Sequence, residues 1–301
     1  MDEVELGTSG IRVSRIGLGC NNFGGRIDFD ATKAVVEQAL EAGITFFDTA
    51  EVYGQDGASE RFLGELLDGR RESVVLATKF GWAPERGFGD PARVRAAIEG
   101  SLERLRTDHV DLYYLHKPDP DTPIGETLQA LDELVREGRV RALGCSNFSA
   151  EQLAEAERVA RELGTARFVA VQNEYNLLTR NDDEGVLPLC RELGIAYVPY
   201  FPLASGMLTG KYRSGEPAPE GTRLAGRVLD EGRLARAERL GRYAEKRGHT
   251  LLELALSALV ATPGVASVIA GATKPEQVLA NVAAAAAWRL DAEDLRALED
   301  V

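Results

Sequence analysis

The chain has 301 residues, enough for two ordinary domains or for one barrel of alternating strands and helices, which reaches about 250 residues as a single unit. Apolar residues make up 44% and aromatics 7%, with a mean hydropathy of −0.18, which supports a full core and excludes disorder throughout. Thirty-five basic against 48 acidic residues give a net charge of −13, which argues against nucleic acid and anionic membranes as partners. Cys20, Cys145 and Cys190 are far apart, so neither a disulfide framework nor a metal site is expected. The first residues lack the basic-then-apolar plan of a signal peptide and no apolar run is long enough to cross a bilayer, so the expectation is a cytoplasmic protein.

In chain order, VELGTSGIRV predicts a hairpin around Ser9-Gly10 that caps a barrel floor. Eight β-rich runs follow, at 15–20, 44–47, 73–78, 110–115, 139–144, 168–172, 196–200 and 266–271. Amphipathic stretches separate them: Val94, Ile98, Leu102 and Leu105 share one helix face, as do Ile124, Leu128, Leu131 and Val135. Gly43, Gly138 and Gly194 fall at helix-to-strand turns, where a left-handed residue stops the helix. The segment from Phe201 to Glu231, rich in glycine and proline, leaves the seventh strand without an immediate helix, and a loop of that length in a compact fold points to function. No linker divides the chain. The expected fold is an α/β (β/α)8 TIM barrel, a single domain over 1–301, with an N-terminal β-hairpin and a long loop after strand 7.

Parallel strands in a barrel share one C-terminal face, so the residues just past their ends become neighbours. Here they are Asn21-Asn22, Asp48, Lys79, His116, Ser146-Asn147, Gln172-Asn173, Tyr200 and Gly271-Ala272-Thr273. An ammonium at Lys79 needs a carboxylate to offset its burial, and Asp48 lies on the neighbouring strand. Tyr53 follows in the loop after Asp48; a lysine near a phenol favours phenolate and lowers a pKa that is ordinarily ~10. With His116 to hydrogen-bond a substrate oxygen, the set is suited to protonating a carbonyl oxygen while another group attacks the carbon. Each residue alone has a plainer explanation in packing, capping or ion pairing; their joint position at three successive strand ends points to chemistry. His109 and His249 have no such context and are expected to be solvated.

The motifs GLGCNNFG, DTAEVYG, TKFG, DLYYLHKPD, GCSNF, VQNEYN, YFPLASGMLTGKY and GATKPEQVLAN occur in order along nearly the whole chain, which closely resembles the aldo-keto reductase family. The resemblance implies a (β/α)8 barrel that binds NADPH/NADP+ and reduces aldehydes and ketones, small-molecule carbonyl substrates. It implies that Tyr53 is the general acid, Lys79 and Asp48 the pair that lowers its pKa, and His116 the group that orients the carbonyl. Ser146, Asn147 and Gln172 resemble the partners of the nicotinamide carboxamide, and Tyr200 the ring beneath it. Leu203, Ala204, Ser205, Gly206, Leu208 and Lys211 resemble a belt around the pyrophosphate. Gly271, Thr273, Lys274, Gln277 and Asn281 match the segment that holds the adenosine 2′-phosphate and adenine. Phe201 departs from the pattern, since a small hydroxyl residue is common there, and Ala270 stands where proline often precedes the glycine. Two other functions compete: an NADPH-binding redox-sensing module with low turnover, against which the intact Tyr53 argues, and a Schiff-base lyase using Lys79, against which Asp48 argues by keeping that lysine charged. The sequence leaves the oligomeric state open, with a monomer plausible.

Overall fold

The computed structural model describes residues 1–82, 87–299 and 301. Strands β1 (Glu3–Glu5) and β2 (Arg12–Ser14) pair antiparallel, and Leu6 N donates to Ile11 O at 2.8 Å across the turn. The expected hairpin is therefore present. Strands and helices then alternate: β3 (Ile16–Gly19), α1 (Phe29–Glu41), β4 (Phe46–Asp48), α2 (Ala58–Leu66), β5 (Val75–Phe80), α3 (Pro91–Leu105), β6 (Val110–Leu115), α4 (Ile124–Arg136), β7 (Val140–Ser146) and α5 (Ala150–Leu163). The second half comprises β8 (Phe168–Gln172), α6 (Val186–Leu193), β9 (Ala196–Tyr197), α7 (Glu231–Glu245), α8 (Leu251–Ala261), β10 (Val268–Gly271), α9 (Pro275–Ala287) and α10 (Ala292–Ala297).

The eight strands β3 to β10 are parallel, in the order β10-β3-β4-β5-β6-β7-β8-β9. Isolated bridges of Tyr197 to Val265 and of Tyr200 to Ile269 link the two outer strands and close the (β/α)8 ring. All eight expected strands are present, with shifts of physical origin. The run expected at 73–78 extends to Phe80 and takes in Lys79. The run expected at 196–200 shortens to Ala196–Tyr197, because Pro199 has no N–H for the ladder; its carbonyl still accepts from Ile269 N at 2.9 Å.

Helix faces follow the predicted spacing. In α3, Val94, Ile98 and Leu105 are buried; in α4, Leu128 and Leu131 are buried with Leu134 in place of the expected Val135, a slight rotation of the face. Gly43, Gly138 and Gly194 adopt φ of 78°, 74° and 69°. No helix among the described residues is long and apolar enough to cross a membrane.

The period-2 alternation of the strands sorts the core into two layers. Phe47, Leu76, Tyr113, Leu115 and Leu143 pack outward beneath the helices, while Phe46, Ala77, Leu112, Tyr114, Ala142 and Ala170 fill the interior. Leu6, Ile11 and Val13 of the hairpin belong to the interior cluster and plug the floor. Gly7, at φ 61°, permits this approach: a Cβ there would lie 2.3 Å from Val169 O. Continuing the inward register up each strand reaches Asp48 after Phe46, Lys79 after Ala77, His116 after Tyr114, Ser146 after Gly144 and Gln172 after Ala170. The apolar core and the polar rim are one pattern, read along successive levels of the barrel.

Candidate active site

The rim residues surround a cavity of about 600 Å³ at the C-terminal ends of the strands, within the range of small-molecule sites. At its base, Lys79 is fully buried and its ammonium uses all three N–H groups. It donates to Asp48 Oδ2 at 2.6 Å, Thr49 O at 2.8 Å and Tyr53 Oη at 3.4 Å. Asp48 Oδ1 accepts from Gln172 Nε2 at 2.8 Å, so its carboxylate is held from two strands. Tyr53 and His116 line the cavity in front of this pair, with their rings edge to face at 5.9 Å.

Charge and burial act in opposite senses here. Lys79 stands above its ordinary pKa: burial alone would lower it, but Asp48 and then Tyr53 more than compensate. Tyr53 stands above its ordinary value, which corrects the sequence expectation. Desolvation of the phenol outweighs the lowering by Lys79, and Asp48 adds a further upward push. His116 is pushed down to about 2, chiefly by burial and then by Lys79 and Lys117, so its imidazole is neutral. Its Nδ1 has no hydrogen-bond partner among the described residues.

A second network covers the next strands. Ser146 Oγ donates to Gln172 O at 2.6 Å, Asn147 Nδ2 donates to His116 O at 2.9 Å, and Tyr200 Oη donates to Asn147 Oδ1 at 2.8 Å. Asn147 does not cap the next helix; Ser149 does, in a capping box with Gln152. Instead Asn147 sits at φ 62°, and Phe201, Ala204 and Ser205 are also left-handed at 51°, 47° and 58°. Such a cluster of sparsely populated conformations around one cavity is characteristic of functional sites. Gly206 belongs to the same turn, and a Cβ there would meet Lys211 Nζ at 3.1 Å, so the glycine lets the ammonium lie close to the backbone.

Leu203, Ser205, Gly206, Lys211, Gly271, Thr273, Gln277 and Asn281 line the cavity, as do Ser146, Asn147, Gln172 and Tyr200. Ala204 and Leu208 do not; they are buried in a satellite core with α7 and α8. Lys274 is exposed at the N-cap of α9, outside the cavity lining, and makes no side-chain capping bond. Ala270 is an ordinary member of β10, paired with Leu18. His109 and His249 are part-buried rather than solvated, the first 2.7 Å from Asp108 and the second stacked on Trp288.

The lining residues that sequence reasoning missed include Arg26, Val52, Trp82 and Arg223. Loops have no periodicity to betray them, though a guanidinium in the glycine-rich segment after strand 7 was a usable signal. Arg223 lies 4.8 Å over the ring of Phe201, which gives that unexpected phenylalanine a contact. Burial, then the nearby Arg26 and Arg227, hold the Arg223 guanidinium below its ordinary value. Among the described lining residues, Arg26, Lys211 and Arg223 are cationic against one carboxylate, Asp48, which Lys79 already balances. A cationic cleft in a protein of net charge −13 fits a polyanionic ligand.

A model of the aldo/keto reductase family matches residues 15–301. A rice protein (Oryza sativa subsp. japonica) named probable voltage-gated potassium channel subunit beta is 38% identical, over 94% of this chain and 91% of the relative. Uncharacterized oxidoreductase YrpG of Bacillus subtilis (strain 168) is 36% identical over 100% of this chain and 96% of its own. Probable aldo-keto reductase 1 of Glycine max is 37% identical over 97% of this chain and 86% of its own. With the barrel, the rim and these matches in agreement, the chain belongs to the aldo/keto reductase family.

Proposed function

We propose that the protein reduces aldehydes and ketones with NADPH, and that Tyr53 gives the proton to the carbonyl oxygen. The observation that carries this reading is the buried relay of Asp48, Lys79 and Tyr53, with contacts of 2.6 and 3.4 Å, opening on a cavity beside a neutral His116. The reaction balances as carbonyl, NADPH and a proton giving alcohol and NADP+; the hydride is what the bound cofactor supplies.

The raised pKa of Tyr53 keeps the phenol protonated at neutral pH, loaded for reduction. As negative charge develops on the substrate oxygen, the phenol proton moves to it and the resulting phenolate faces the Lys79 ammonium. Asp48 fixes that ammonium in charge and place, so little reorganisation is needed when the phenolate forms. His116, with its proton on Nε2, donates a hydrogen bond to the same oxygen and leaves Nδ1 as the unpartnered nitrogen. The charged, fully engaged Lys79 is a poor nucleophile, which argues against the Schiff-base alternative.

The cationic cleft and the left-handed turn at 204–206 fit the cofactor's phosphates: Arg26, Lys211 and Arg223 would hold the pyrophosphate, and Lys274 with Thr273 at the head of α9 the 2′-phosphate. Ser146, Asn147, Gln172 and Tyr200 would hold the nicotinamide, and Gly271, Gln277 and Asn281 the adenosine end. We read residues 1–301 as one such unit, cytoplasmic, with a small-molecule substrate.

The test is steady-state NADPH consumption over a panel of aldehydes by wild type and Tyr53→Phe. Reduction should fall by about 10²-fold or more in the variant, with cofactor affinity near wild type. Unchanged turnover would remove Tyr53 from the reaction. The competing reading, an NADPH-binding redox-sensing module with low turnover, makes a different prediction. Under that reading wild type would oxidise about one bound NADPH per chain and stop, whereas a reductase cycles.

A further inference from the structure

Trp82 and Val52 are among the few large apolar side chains that are exposed, at 41% and 42%, and both line the cavity near Tyr53 and His116. Trp82 is not free on either side. Lys117, the residue after His116, places Nζ 3.8 Å from the centroid of the Trp82 ring. The His116 ring lies 4.5 Å from the same indole, tilted at 49°, and Tyr53 packs edge-on against His116 at 5.9 Å. A continuous chain of ring contacts thus runs from Lys117 through Trp82 and His116 to the proposed proton donor.

An indole this exposed has several rotamers open to it, and a cation over its face favours one of them. A cation–π contact at a half-exposed site biases that population by roughly three- to fivefold. The chain uses only six lysines among its 35 basic residues, and this one is bound to the cavity wall through the ring that it covers. Its charge also contributes to keeping His116 neutral, so the same ammonium acts on both the indole and the imidazole beside it.

We propose that Lys117 is a positioning residue that pins the Trp82 indole against His116, and that the pinned indole is the wall on which flat, aromatic carbonyl compounds are selected over small aliphatic ones. This rests on the carbonyl-reductase reading above. A pinned ring gives a preformed surface, so an aromatic substrate need not order the wall as it binds. A small aldehyde does not reach the indole and gains nothing from it.

The experiment uses Lys117→Met, which keeps the aliphatic stem without the charge, and Lys117→Arg, which restores a cation. Both are made in a Trp288→Phe background, so that Trp82 is the sole tryptophan. Emission and anisotropy of Trp82 are read first, then kcat and KM for benzaldehyde, 4-carboxybenzaldehyde and propanal with NADPH. In Lys117→Met, Trp82 anisotropy should fall and KM for both aromatic aldehydes should rise about three- to fivefold, with propanal within about twofold; Lys117→Arg should restore the parent values. An unchanged ratio of aromatic to aliphatic KM would overturn the inference, as would an equal loss of kcat for all substrates. A rise confined to 4-carboxybenzaldehyde would overturn it too, making Lys117 an ion partner for substrate. Wild-type turnover with an unchanged ratio sinks this inference alone, whereas no turnover of any aldehyde by wild type sinks the reductase reading with it.

Discussion

Two buried carboxylates, at opposite ends of the same barrel, solve the same electrostatic problem to different ends. Asp111, near the start of β6, accepts from Arg71 Nη2 at 2.8 Å, Arg141 Nη1 at 2.6 Å and Leu76 N at 2.8 Å. Its arginines reach solvent, with Arg141 side-chain exposure at 53%. Asp48, at the end of β4, is matched by a lysine that no solvent reaches and that also touches a phenol. At the floor one carboxylate is shared by two arginines, and none of the three lines the rim cavity. The rim pair has a third partner whose ionisation it can influence, and that partner opens on a cleft. Burial of an ion pair is therefore no mark of function; what distinguishes the rim is a titratable group left at the end of the chain of charges.

Removing one charge from each pair should separate the two roles. The largest effect is expected for Lys79→Met: carbonyl reduction should fall by roughly 10²- to 10⁴-fold, and the uncompensated Asp48 should cost about 3–5 kcal/mol of stability. Adding Asp48→Asn should recover the urea midpoint without recovering turnover; if both return together, the pair serves the fold and the comparison breaks. Next is Lys274→Ala, which tests whether the exposed cation at the head of α9 reads the 2′-phosphate. NADPH affinity should weaken about ten- to hundredfold by fluorescence titration, NADH affinity should hardly change, and wild-type NADPH affinity should fall with salt. Equal losses for the two cofactors would make Lys274 a support of its loop. The smallest effect on chemistry belongs to the floor: Asp111→Ala should lower stability by about 1–3 kcal/mol in urea denaturation, with kcat/KM unchanged within about twofold. A large loss of kcat/KM in that variant would mean that the two ends of the barrel are coupled.

The barrel was legible because its signals are periodic. Apolar runs such as VDLYYL mark strands, and Gly43, Gly138 and Gly194 punctuate them with the left-handed turns that the structure shows. The rim was legible for the same reason, since Asp48, Lys79 and His116 continue the inward register of β4, β5 and β6. Two kinds of feature were not. Trp82, Arg26 and Arg223 sit in loops, where no repeat predicts which side chain turns to the cavity. The direction of the Tyr53 shift was also hidden: the strand order brings a lysine and a tyrosine together, but the desolvation that outweighs the lysine exists only once the rim has packed around the phenol.

The pH dependence of carbonyl reduction tests the proton assignment most directly. A donor must be protonated, so activity is full below the pKa of the acid and is lost as pH rises through it. With Tyr53 above the ordinary phenol value of ~10 and His116 down to about 2, kcat/KM should stay level from mildly acidic to alkaline pH and decline only beyond about pH 10. That decline should vanish, with most of the activity, in Tyr53→Phe. A fall between about pH 6 and 8 that persists in Tyr53→Phe would assign the proton to an imidazole instead and contradict the account.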